Sequence, residues 1–153
     1  MPGAKPGPVP AHDMSIWLGA YQPRMLGLVG RAADGWIPSS PYRPCEWLSA
    51  ANKILDAAAV DAGRTPGSVR RIYNIDGEFT STGTGFLQGP PRVRVEQLTE
   101  LSITEGISGY VRHRVESGDA IRTFADEVAP AVRSAVSMKR NRQGKVGSDG
   151  CKK

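Results

Sequence analysis

The stretch SIWLGAYQPRMLGLVGRAADGW, Ser15 to Trp36, decides the fold. Ser15-Ile16-Trp17-Leu18 is a short apolar run closed by Gly19, the pattern of a buried strand. The smallest residues of the stretch, Gly19 and Ala20, come next. Pro23 then suits a first helical position, where a missing N–H costs nothing. Met25, Leu26, Leu28, Val29 and Ala32 recur on one helical face. Gly35 ends that helix, and Trp36-Ile37 begins a second apolar run that stops at Pro38. A strand, a helix and another strand in so short a span describe a crossover between parallel strands.

The same alternation continues outward. Ser39 to Arg43 is a polar loop. Pro44 opens a second helix bearing Trp47, Leu48, Ala51, Ile54, Leu55 and Ala58, with Gly63 as its stop. Val69 to Ile75 is rich in strand formers, and residues 76–89 read as a glycine-rich irregular loop. Pro90-Pro91 starts a third helix with Val93, Val95, Leu98, Leu101 and Ile103, stopped by Gly106. Ile107 to Val111 is a further strand. Asp119 is the expected N-cap of a last helix carrying Ile121, Phe124, Val128, Val132 and Val136, which must bend near Pro130. Short apolar strands alternating with amphipathic helices give an α/β class with a parallel sheet. About four strands are too few for an eight-stranded barrel of roughly 250 residues. The sheet is therefore a small open one or part of a larger one.

Composition narrows the function. The 153 residues are enough for one domain with its own core. The net charge of +5 suggests a polyanion partner, but its distribution argues otherwise. Residues 139–153 hold six Lys/Arg and one acid, which leaves 14 basic and 14 acidic residues in 1–138. The folded part is neutral, and neither a nucleic acid nor a membrane is an expected partner. Residues 1–11, with four prolines and two glycines, read as an extended lead-in segment. Residues 12–138 read as the folded domain, and 139–153 as a basic, disordered tail. No apolar segment of a secretory signal precedes Asp13, so a cytoplasmic location is expected. Cys45 and Cys151 are too isolated for a disulfide framework. His12 and His113 lack a second ligand at metal-binding spacing, so no metal is expected.

Several motifs in this order resemble the luciferase-like monooxygenase family, flavin- and deazaflavin-dependent oxidoreductases built on a (β/α)8 barrel. They are Gly19-Ala20 after an apolar strand, Pro23-Arg24-Met25-Leu26, and Gly30-Arg31-Ala32-Ala33-Asp34-Gly35-Trp36. Ala62-Gly63-Arg64-Thr65-Pro66, Gly89-Pro90-Pro91, Gly106-Ile107-Ser108-Gly109-Tyr110 and Phe124-Ala125-Asp126-Glu127-Val128-Ala129-Pro130 continue the series. The resemblance covers roughly residues 7–138. It implies a partial TIM-type barrel made of about the last three βα units, with nothing matching the family's first five strands.

By that resemblance the chain is the C-terminal fragment of an oxidoreductase or monooxygenase acting on a small organic substrate. Hydride transfer or oxygen insertion is the implied chemistry, with coenzyme F-420 or FMN as cofactor. The stretch through Trp36 leans toward the deazaflavin branch. A complementary N-terminal half or a homo-oligomer is the implied partner. Barrel sites form at the C-terminal ends of strands. The resemblance therefore gives Gly19, Ala20 and Tyr21 a cofactor contact, whereas the pair alone would also fit a plain tight turn. Ser39 and Ser40, ending the second strand, and Arg112 and His113, after the last, would face the substrate. No catalytic residue is assigned. Asp34 reads as a turn or capping residue, and Trp17 and Trp36 as core. The alternatives are a small α/β interaction module or a non-functional remnant without catalysis.

Overall fold

The computed structural model describes residues 10–83, 85–114 and 117–148, with side chains through 142. The elements run β1 (Trp17–Leu18), α1 (Pro23–Ala32), β2 (Gly35–Trp36), α2 (Leu48–Asp61), β3 (Arg70–Ile75), α3 (Pro91–Thr104), β4 (Gly109–Arg112), α4 (Gly118–Thr123) and α5 (Ala129–Ser148). The four strands form one sheet in the order β1-β2-β3-β4, every pair parallel. Spatial order follows chain order without reversal. Right-handed crossovers then place every helix on one face, as in a barrel wall. A doubly wound sheet would reverse direction at a switch point. Four βα units are present, one more than the three that the sequence resemblance implied.

The core lies between sheet and helices. Leu26, Val29, Trp36, Leu48, Leu55, Tyr73, Ile75, Leu98, Ile107 and Val128 are all buried there. Tyr73 pairs with Tyr110 in register, and the Tyr110 hydroxyl donates to Leu98 O on α3 at 2.7 Å. Both rings therefore face the helices, while Ile72, Asn74 and Val111 face the other way. Trp36 is fully buried, as expected. Trp17 is only half-buried: it alternates to the second face, where its ring lies across Gly35 with the Arg70 guanidinium 5.7 Å from its centroid.

Motif residues explain the local joins. Asp34 Oδ2 accepts from Ile16 N–H at 2.7 Å, tying the start of β1 to the turn before β2. Arg64 reaches back from the α2–β3 loop and donates to Gly30 O and Ala33 O, each at 2.8 Å. These are carbonyls at the C-terminal end of α1, which helical bonding leaves free and which carry partial negative charge. Arg64→Ala is expected to destabilise the protein by about 2 kcal/mol, because two charge-assisted bonds are lost together. Arg64→Lys should recover less than half, since an ammonium lacks the planar fork. Urea midpoints of the three proteins check both statements.

Three expectations change. Pro44 precedes a 3-10 turn, Cys45–Trp47, and α2 proper begins at Leu48. The last helix is capped by Ser117, whose extended backbone lets its side chain accept from Ala120 N, while Asp119 pairs with Arg122 at 2.7 Å. The strain of Pro130 is met by a π-helical turn, Phe124–Val128, directly before α5. Helix α5 then runs to Ser148, past the tail boundary drawn at 139, because 131–143 contains no helix breaker. The lead-in segment before Pro10 and the end of the tail, including Cys151, lie outside the described residues.

Candidate functional site

Parallel strands put four chain segments on one edge of the sheet: Gly19–Tyr21 after β1, Ser39-Ser40 after β2, Asn74–Gly77 ending β3, and Arg112-His113 ending β4. The first segment is held from behind. Trp36 Nε1–H donates to Ala20 O at 3.0 Å in a buried bond. The Ala20 side chain points inward and is 2% exposed. A Cβ on Gly19 would stand 3.3 Å from Ile37 O, so the backbone passes close to β2 there. Among the described residues the N–H groups of Gly19, Ala20 and Tyr21 donate no hydrogen bond. The Tyr21 ring packs between Tyr42 and Trp47, with centroids 5.9 and 6.1 Å away.

The second segment is knitted to the third. Asn74 Nδ2 donates to Ser39 Oγ at 2.9 Å, Ser40 N donates to Asn74 O at 2.9 Å, and Asp76 N donates to Ser40 Oγ at 3.0 Å. Ser39 is buried and Ser40 half-buried. Each hydroxyl already accepts one internal bond and keeps its own proton to donate. Asn74, which sequence reasoning did not single out, organises both serines. Its only sequence signal is an amide within an otherwise apolar strand end.

The fourth segment divides. Arg112 donates to Ala120 O at 3.2 Å and Gly77 O at 3.4 Å, and its guanidinium lies 5.8 Å from the Phe79 centroid and 5.6 Å from that of Phe124. It clamps the strand end to the loop and to α4. His113 is exposed, with its backbone N–H given to Ile75 O.

Between the second and third segments lies a recess of about 320 Å³ lined by Ser40, Cys45, Glu46, Asp76, Glu78 and Arg114, among others. Burial first, and then Glu46, raises the pKa of the Cys45 thiol. A thiol held protonated is a poor nucleophile. Burial, reinforced by Cys45 and Glu46, also raises the Tyr73 phenol, whose hydroxyl donates to Arg43 O at 2.8 Å. Neither group is set up for chemistry. Among the described residues no three His, Cys, Asp or Glu side chains converge as a metal site. None of the described helices is long and apolar enough to cross a membrane.

The sheet with its helices superposes on a coenzyme F-420-dependent tetrahydromethanopterin reductase from Methanopyrus kandleri with a TM-score of 0.64 and 14% identity, over 76% of this chain and 50% of that one. A riboflavin lyase with modified FMN and riboflavin gives 0.63 and 11%, over 78% and 43%. A long-chain alkane monooxygenase gives 0.61 and 12%, over 78% and 41%. The chain has the luciferase-like fold. In sequence, phthiodiolone/phenolphthiodiolone dimycocerosates ketoreductases are similar to it. The protein of Mycobacterium tuberculosis is 36% identical over 107 residues, and that of Mycobacterium kansasii 34%. These matches cover 66% of this chain, which spans about a quarter (26%) of the relatives' length. No family model matches the chain.

Proposed function

We propose that this chain forms one wall of a flavin- or deazaflavin-dependent oxidoreductase site, with Gly19, Ala20 and Tyr21 on the cofactor side. Ser39, Ser40, Arg112 and His113 lie on the substrate side of the same edge. Three consecutive backbone N–H groups without an internal acceptor, at the C-terminal end of β1, carry the reading. They fit a phosphate-bearing tail, since successive N–H groups at a strand-to-helix turn attract anionic oxygens. Tyr21 fits less directly, as its ring is already packed in an aromatic cluster. Its part is to brace the turn.

FMN and coenzyme F-420 both suit this contact, and the names of the structural neighbours support either. When bound, such a group supplies hydride transfer or, as reduced flavin, oxygen activation. The protein's own contribution here is positioning. The Gly19–Tyr21 amides hold the anion, Trp36 fixes the turn through Ala20 O, and the Ser40 hydroxyl and His113 imidazole present polar groups to a small organic substrate. The remaining walls would come from outside the single chain, from a complementary N-terminal half or from a second copy. This chain alone would then bind cofactor weakly.

Fluorescence titration of the full chain with FMN and with riboflavin tests this. FMN should bind weakly and saturably, and about tenfold better than riboflavin, which lacks the phosphate; that ratio is one charge-assisted contact of about 1.4 kcal/mol. Equal binding of the two would remove the amide contact. Tight stoichiometric binding would show that no further wall is needed.

A further inference from the structure

The described sheet has two outer edges, on β1 and β4, and no strand among the described residues pairs with either. Each edge has apolar surface beside it. At the β1 end, Ile16 is 57% exposed, although it is in phase with Leu18 and so directed to the helix side of the sheet. Met25 and Leu28 are exposed on α1 above it. At the β4 end, a groove of about 670 Å³ runs along the start of the strand beneath α5, lined by Ile107, Tyr110, Phe124, Val132 and Val136 among others. One end thus offers apolar knobs beside a strand edge, and the other an apolar groove beside a strand edge.

We infer that two copies of this chain join head to tail, β1 of each pairing in parallel with β4 of the other, to close an eight-stranded barrel. Four sequentially ordered strands are half of the number that closes such a barrel. Two copies of a half-ring close on themselves, whereas most heterologous contacts continue into filaments. Closure removes both open edges, the feature that otherwise invites uncontrolled pairing. Ile16 of one copy then enters the groove beside β4 of the next, at the N-terminal end of both strands. At the opposite end, Arg24 in the first turn of α1 meets the level of Asp126 and Glu127, exposed in the π-helical turn. The contact is therefore apolar below and charge-complementary above. It also brings Arg112 and His113 beside Gly19 and Ala20 of the other copy, so the partner completes the edge.

The inference rests on the one-wall reading of the site, but its readout is mass and not ligand binding. Light scattering behind size exclusion should give twice the 16.4 kDa chain mass. Two variants address the two ends. Val136, on α5, is half-buried and lines the groove beside β4. Val136→Lys places a cation in that groove and leaves the β3–β4 ladder intact. Ile16→Lys places a cation before the groove rimmed by Arg133 and Arg140. Each variant should be a monomer with a cooperative melt, and an equimolar mixture should regain dimer through its one intact junction. A monomeric parent chain, a dimer unaffected by both variants, or open-ended polymers would each overturn the closed barrel. A dimer that binds FMN and riboflavin equally would overturn the site reading alone.

Discussion

Gly30→Ala is expected to destabilise the protein by about 3 kcal/mol, although alanine is the better helix former by about 1 kcal/mol. A Cβ at Gly30 would stand 2.3 Å from Leu55 O, 2.9 Å from Ala58 Cβ and 3.1 Å from Ala59 N, all on α2. Two of these three atoms belong to backbone, so no rotamer change makes room and the two helices must separate. Separation also pulls Gly30 O from the Arg64 guanidinium, which holds it at 2.8 Å. Gly27 supplies the control on the same helix. Its added Cβ would meet only Arg31 Nη1 at 3.2 Å, the far end of a flexible side chain. Gly27→Ala should therefore follow propensity and stabilise by about 0.5–1 kcal/mol. Urea denaturation of the two variants should move the midpoint in opposite directions. Equal shifts would show that α1 and α2 are not in close contact at Gly30.

Much of this architecture is legible in the chain because punctuation and periodicity agree. Pro23 and Pro91 open helices, and Gly63 and Gly106 end theirs with φ of +71° and +66°. The parallel order follows from alternating elements and the absence of hairpin turns. The cap of the last helix was less legible. Asp119 and Ser117 are both good capping residues, and only the extended backbone at Ser117 selects between them. Trp17 and Trp36 look alike as apolar strand residues, yet one faces the helices and the other the open face. With strands of two residues, register sets the facing side, and composition does not report register.

The candidate site was legible by resemblance in its backbone and less so in its side chains. Gly19-Ala20 stands at the strand end where barrel sites form. Arg112 looks from sequence like a free cation, but its guanidinium is committed to Ala120 O and Gly77 O. Asn74 carries no motif, yet it joins the ends of β2 and β3. Such pairings depend on contacts between residues far apart in the chain, which local pattern does not encode. The Asn74 amide and the Ser39 hydroxyl are 35 positions apart.

Trp36→Phe is expected to cost about 3 kcal/mol, and its effect should reach the Gly19–Tyr21 turn. The indole N–H bond to Ala20 O is buried, so phenylalanine leaves a carbonyl without a partner, worth about 1–3 kcal/mol. The smaller ring adds a cavity term of about 1 kcal/mol in a side chain that is fully buried. Trp47 supplies the comparison. It is half-buried, its ring centroid is 5.9 Å from that of Trp36, and among the described residues its indole N–H makes no hydrogen bond. Trp47→Phe should cost about 1 kcal/mol, for packing alone. The two variants also separate stability from site geometry. With Ala20 O released, the three N–H groups of the turn lose their fixed direction, and the preference for FMN over riboflavin should fall toward unity. In Trp47→Phe the carbonyl stays held and the preference should persist. Loss of the preference in both would assign the turn's rigidity to the aromatic cluster around Tyr21 in place of the Trp36–Ala20 bond.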